Sequence, residues 1–251
     1  REYLSLGYHN LANKCESEKI EDAMPFHQRA IELRTQLARE QPDSPQAHIQ
    51  LAESHHHLAH TLEHGWQRLA EARVEREQSV KILQAFIAQH SQWPQAKHAL
   101  ASTQNMQAIA LAKLDESQAA QETYTAALKI WQQLAADFPD VVEYQVGLAG
   151  TEHNLGTLLV EQDRSDEGMP LLAKARERLE TTLQRIGPHA TGNQFLGIVY
   201  GSLSDILKTQ GQSDKASEVA TQLRALQERM QQLARQTVGE ALPASKLLTD
   251  P

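Results

Sequence analysis

Five leucine-led segments recur along this chain, and their spacing constrains the fold more than any other feature. They are 4–13 (LSLGYHNLAN), 51–62 (LAESHHHLAHTL), 100–111 (LASTQNMQAIAL), 148–159 (LAGTEHNLGTLL) and 196–207 (LGIVYGSLSDIL). Their first residues, Leu4, Leu51, Leu100, Leu148 and Leu196, lie 47, 49, 48 and 48 residues apart. Self-similarity at a fixed period marks an array in which each unit is one supersecondary element. Within a segment, apolar residues fall at offsets 0, +7 and +11, as in Leu51, Leu58 and Leu62 or Leu148, Leu155 and Leu159, with Gln107 standing out at +7 of the third. Those offsets make one stripe on a helix. A small residue follows the +7 position each time: Ala12, Ala59, Ala108, Gly156 and Ser204. It lets a neighbouring helix approach closely.

A second small residue comes about thirteen positions after the +7 site, at Ala23, Ala72, Ala120, Gly168 and Ala216. It opens a second apolar stripe, clearest as Ala120, Tyr124, Ala127, Leu128, Trp131, Leu134 and Ala135. That 3–4 spacing predicts a second amphipathic helix. The segments between the stripes, such as His64-Gly65 and Asp163 to Asp166, are polar or Gly-bearing, as αα-hairpin turns are. Between units stand prolines at 42 and 45, 94, 139 and 188. Proline removes a backbone donor and ends the preceding helix. Ser44 and Pro45 read as an N-cap and first helical residue, and Asp140 as an N-cap in the same place.

Composition agrees. Ala (33) and Leu (32) far outnumber Val (9) and Ile (10), and only 5% of residues are aromatic. Such a mixture suits helices rather than strands, and thin layers rather than one thick core. The expected fold is all-α: about five helical hairpins with a period of about 48 residues. The expected units are 1–41, 42–92, 93–138, 139–187 and 188–236, with a disordered tail over 237–251.

The pattern resembles the tetratricopeptide repeat. The matching residues are Leu11-Ala12, Leu58-Ala59 and Leu155-Gly156 in first helices, and Ala23/Ala30 and Ala120/Ala127 in second helices, with Tyr124 as the second-helix aromatic. The resemblance covers about 1–236. It departs in period, lengthened from the family's 34 residues to about 48. It departs also at Gln107, where the family has Leu, and at Leu223, where it has Ala. The signatures His153–Gly156 and Asp137–Val141 look like those of long-unit arrays found C-terminal to bacterial Ser/Thr protein kinase domains. The resemblance implies an α-solenoid coiled as a right-handed superhelix. It also implies a non-catalytic scaffold that binds a peptide or partner protein in a concave groove lined by first helices. A place as the interaction or regulatory region of a larger signalling protein follows from the same likeness.

By the family's register, the groove row is His9, Asn10 and Asn13, then His56, His57 and His60, then Asn105, Met106 and Ile109, then His153, Asn154 and Thr157, then Gly201, Ser202 and Asp205. Glu53 and His64 share the face of His56 and His60. Asn offers donors and acceptors, and His offers either, so the row suits an extended peptide backbone. The competing reading is that these side chains make ordinary inter-helix hydrogen bonds.

The run from His55 to His64 raises a second functional class, a metal-binding or metal-responsive domain. His56 and His60 stand at i and i+4, a spacing that suits zinc or nickel. His64 is ~12 Å further along the axis than His56, too far to share one ion. No metal or cofactor is therefore expected.

Nothing in the chain matches a P-loop, HExxH, G-x-S-x-G or dinucleotide fingerprint, so no enzyme is expected. The formal net charge of −8 disfavours nucleic acid, which requires a basic surface. No apolar run approaches the roughly 20 residues of a membrane span. Cys15 is the only cysteine, so no internal disulfide forms. These observations imply a cytoplasmic setting and a protein or peptide partner, with self-association left open. The chain opens on Arg1 in what aligns as the middle of a first helix, the mark of a piece of a longer protein.

Overall fold

The computed structural model describes residues 2–18 and 22–240, leaving aside the side chains of 13, 16–18 and 236–240. All the regular structure in these residues is helical. The elements are α1 (Glu2–Glu18), α2 (Ala23–Glu40), α3 (Pro45–His64), α4 (Leu69–Gln89), α5 (Pro94–Lys113), α6 (Ser117–Asp137), α7 (Val142–Glu161), α8 (Ser165–Ile186), α9 (Ala190–Thr209) and α10 (Ser213–Glu240). The last helix passes the expected boundary at 236 and continues to Glu240. The rest of the expected tail, 241–251, lies outside the described residues.

The helices pair into hairpins: α1 with α2, α3 with α4, α5 with α6, α7 with α8, and α9 with α10. They form two compact units, Arg1–Asp140 with three hairpins and Val141–Pro251 with two. In the first unit, α2 packs on α3, α4 on α5, and α3 beside α5. In the second, α8 packs on α9 and α7 lies beside α9.

The small residues sit where the two helices of each hairpin cross. Ala12, Ala59, Ala108, Ala23 and Ala120 are 0% exposed, and Ala72 and Ala216 are 1%. In the fourth hairpin the crossing is so close that a Cβ on Gly168 would stand 2.4 Å from the Gly156 carbonyl oxygen. In the fifth, the Ser204 hydroxyl donates to the Ala216 carbonyl at 3.2 Å. The leucine stripes fill the remaining layer in the later hairpins, whereas in α1, which has no helix packed before it, Leu4 and Leu11 are 51% and 44% exposed. Leu51, Leu58, Leu62, Leu100, Leu111, Leu148, Leu155, Leu159, Leu196, Leu203 and Leu207 are all buried.

The hairpin turns repeat a backbone device. Gln67, Asp115, Asp163 and Gly211 adopt positive φ of 53°, 60°, 61° and 73°. The next residue's N–H donates back to the carbonyl of the last stripe leucine: Arg68 to Leu62, Glu116 to Leu111, Arg164 to Leu159 and Gln212 to Leu207. This closure satisfies carbonyls that the helix end leaves open.

Ser44 caps α3 as its sequence indicates, accepting from the Ala47 N–H at 3.3 Å with Pro45 at the first helical position. Asp140 is not the N-cap of α7. The first helical N–H groups, of Tyr144 and Gln145, donate to the Val141 carbonyl, which makes Val141 the cap and leaves Asp140 one residue outside.

Hairpin seams also carry buried polar ties. Arg34 on α2 donates from Nη1 to the Gln50 carbonyl and to Ser54 Oγ on α3, both at 2.7 Å. His27 Nε2 meets Thr61 Oγ1 at 3.0 Å between the same helices. In the second unit, Arg178 on α8 grips the buried Glu152 on α7 with Nε and Nη2, each at 3.0 Å. A bidentate guanidinium–carboxylate pair fixes geometry as well as charge.

Candidate binding cleft

In the first unit, α3 and α5 diverge enough to leave an open cleft of about 340 Å³ between them. Ile49, Glu53 and His56 line it from α3, and His98, Ser102 and Met106 from α5. Leu83 of α4 forms part of the floor. These positions recur at i+3 or i+4 along their helices, so each set is one face. The opposite faces carry the buried stripes, which fixes the orientation of both.

Charge in the cleft is set by burial. Desolvation lowers the His56 pKa to about 4, reinforced by the nearby His57, Arg76 and His60 and opposed by Glu63. His56 is thus neutral at neutral pH. Its Nδ1 is buried and has no hydrogen-bond partner. Such a group costs free energy until something pairs with it. Glu53 stands at the mouth. Crowding there raises its carboxyl pKa by desolvation, against the pull of the Arg34 guanidinium. His98 packs edge-on against the buried Trp131 ring, with centroids 5.2 Å apart.

The expected groove row divides among several environments. Glu53, His56 and Met106 line the cleft, and Ile109 and Gly201 are half-buried outside it. His9 and His57 meet each other across the seam between α1 and α3, rings edge-on with centroids 4.6 Å apart. His153 and Ser202 do the same between α7 and α9, where His153 Nε2 lies 2.8 Å from Ser202 Oγ. His153 also bonds Asn154 through Nδ1 at 3.1 Å, and burial lowers its pKa against that bond. Both seams join the −2 position of one first helix to the −1 position of the next. Asn105 is half-buried on α5, away from the cleft lining. Thr157 Oγ1 is buried without a partner on α7. Asn10 is exposed, and Asp205 is exposed beside Lys208 Nζ at 3.0 Å. The side chain of Asn13 lies outside the described residues.

The histidine run is likewise dispersed. His55 is held by Glu75 of α4 at 2.6 Å, His56 faces the cleft, and His60 packs on the exposed His64 with ring centroids 4.5 Å apart. Among the described residues no three His, Cys, Asp or Glu side chains gather where they could hold an ion. No helix among the same residues is long and apolar enough to cross a membrane.

The sequence row missed Ile49, His98 and Ser102. Its register ran too far toward the helix C-termini, into the seams. The signal was present as the α5 row 95, 98, 102 and 106, on the face opposite the buried Leu100, Gln104 and Leu111.

No protein-family model and no curated protein matches the sequence. Among solved structures, the chain is similar to BtubC (BKLC) from P. vanneervenii, with 20% identity over 89% of this chain and 80% of that one, at a TM-score of 0.67. That likeness concerns the fold, which is tetratricopeptide-like. Looser likenesses are MamA 41-end from Desulfovibrio magneticus RS-1 (14% identity, 90% and 96% covered, TM-score 0.47) and a further MamA structure (16%, 88% and 96%, 0.45). No functional weight rests on them.

Proposed function

We propose that this chain is a non-catalytic interaction scaffold that takes an extended peptide, or a segment of a partner protein, along its first helices. The observation that carries the reading is the cleft between α3 and α5. It combines apolar side chains, Ile49 and Met106, with the polar Glu53, Ser102 and Thr103. Concave sites of that mixture, with a few placed polar groups, are where ligands bind. His56, whose neutral ring donates or accepts, lines the same cleft. His9, His57, His153 and Ser202 then serve to hold neighbouring hairpins in register rather than to touch the partner. The scaffold belongs to a larger signalling protein, and the kinase-linked signatures at 137–141 and 153–156 suggest which kind.

Selection of a peptide library on the protein tests this. Met106 is 39% exposed, so Met106→Arg alters the cleft without disturbing the core. Selected peptides are expected to lose about tenfold or more in affinity on this change, with unfolding temperature unaltered. Unchanged affinity removes the cleft from the account. The metal-responsive alternative predicts instead that a chelator lowers stability.

A further inference from the structure

A second concavity opens between α4 and α5, near the hairpin turns, and it shares no lining residue with the cleft. It holds about 210 Å³ and is walled by Leu69, Ala72, Leu111 and Leu114. One residue that lines it departs from the repeat. At the +7 position the second, fourth and fifth units carry Leu58, Leu155 and Leu203, buried to 5%, 6% and 4% exposure, and the first carries Leu11, 44% exposed, but the third carries Gln107. The amide does not fill the layer as a leucine does, and Gln107 lines the space that remains.

The polar side of this pocket is unbalanced. Arg76 is 5% exposed and lines it. One arm, Nη2, donates to Glu63, while its Nε–H is buried with no acceptor. Lys113 stands at the rim, 58% exposed, with its ammonium 3.9 Å from the same Glu63. Two cations thus share one carboxylate. Arg73, also at the rim, is occupied by Glu77 and Glu116. Tyr124 and Leu172 stand at the positions equivalent to Arg76 in later second helices, so this charge is peculiar to the α4–α5 seam.

We infer that the pocket binds a small aliphatic monocarboxylate. Its hydrocarbon lies between Leu69, Ala72, Leu111 and Leu114, and its carboxylate lies against the Arg76 guanidinium with Lys113 alongside. The space has room for a short aliphatic chain. An anion completes the charge of the pocket. An alcohol brings no charge to it, and an ammonium is repelled by both cations. The site is separate from the peptide cleft and stands or falls independently of it.

The test titrates hexanoate, hexanol and hexylamine into the protein while following the arginine Nε–H signals by NMR. Hexanoate is expected to bind saturably and to shift the Arg76 signal. Hexanol should bind about tenfold more weakly, and hexylamine not at all. Gln107→Leu restores the leucine of the repeat and should abolish hexanoate binding while folding at least as stably. Lys113→Met, at an exposed site, should weaken hexanoate about fivefold or more and leave hexanol unchanged. Absence of saturable hexanoate binding overturns the inference. So does equal affinity for hexanol, or undiminished binding in Gln107→Leu or in Lys113→Met.

Discussion

Replacing Gly168 with alanine sets two effects of known sign against each other. In a helix interior, Gly→Ala stabilises by about 1 kcal/mol, because glycine loses more backbone freedom on folding. At Gly168, however, the new Cβ would lie 2.4 Å from the Gly156 carbonyl oxygen, 2.8 Å from Val160 Cγ2 and 3.1 Å from the Val160 nitrogen. Two of these three are backbone atoms of the partner helix and cannot swing aside. Inserting a methyl into such a contact costs about 1–3 kcal/mol, and here the upper end applies. The net expectation is a loss of about 1–2 kcal/mol. Gly201 supplies the control. It lies in α9 of the same unit, and nothing stands within 4 Å of its added Cβ. Gly201→Ala should therefore gain about 0.4–1 kcal/mol. The two variants should differ by about 1.4–3 kcal/mol, or about 3–12 °C in unfolding temperature. Thermal unfolding followed by circular dichroism measures this directly. If Gly168→Ala melts at or above the unaltered protein, the close hairpin crossing is wrong.

Other outcomes follow from single contacts. Arg178→Ala leaves the carboxylate of Glu152, whose side chain is 4% exposed, without its partner, and should cost about 3 kcal/mol in urea unfolding. A loss under about 0.5 kcal/mol would show the pair to be incidental. Gln67→Gly relieves a left-handed backbone and should raise stability by about 1 kcal/mol, and a fall would mean the turn is built differently. His56 titrates near 6.5 in the unfolded chain but at about 4 when folded. The unfolded chain therefore binds more protons between those values. The stability due to neutral His56 is full above about 6.5 and is lost as pH falls toward 4, by up to about 3 kcal/mol. His56→Gln should flatten that part of the pH–stability curve. An unaltered slope would assign the dependence to other histidines, such as His153. Treatment with a chelator should leave the unfolding temperature unchanged.

Much of the fold was legible because the repeat states it five times. The leucine offsets placed the buried stripes from α3 onward, though not Leu4 and Leu11 of α1, which are exposed, and the small residues placed the crossings, down to Gly156 against Gly168. Ser44 with Pro45 is a local signal with a local cause, and the cap formed as the residues dictate. Asp140 missed by one residue because the helix start follows from which carbonyl accepts the first bonds, and side-chain preference does not decide that. The positive φ at Gln67 was invisible for a related reason. Glutamine has no preference for that region, and the turn is imposed by the closure from Arg68 to Leu62. The cleft was only half legible. Glu53, His56 and Met106 were on the expected face, but the gap between α3 and α5, lined also by Leu83 of α4, belongs to three helices at once. That is a tertiary effect with no signature in either helix alone. The same physics put His9 against His57 and His153 against Ser202, in seams rather than in the open.

Photo-crosslinking with the partner-bound protein tests the central claim most directly. A photoreactive residue at Ser102, in the cleft, and one at Lys81, on the 64%-exposed outer face of α4, should behave differently. The account predicts that Ser102 crosslinks to a partner peptide, that excess selected peptide suppresses the product, and that Lys81 yields none. Crosslinks at Lys81 but not at Ser102 would contradict it.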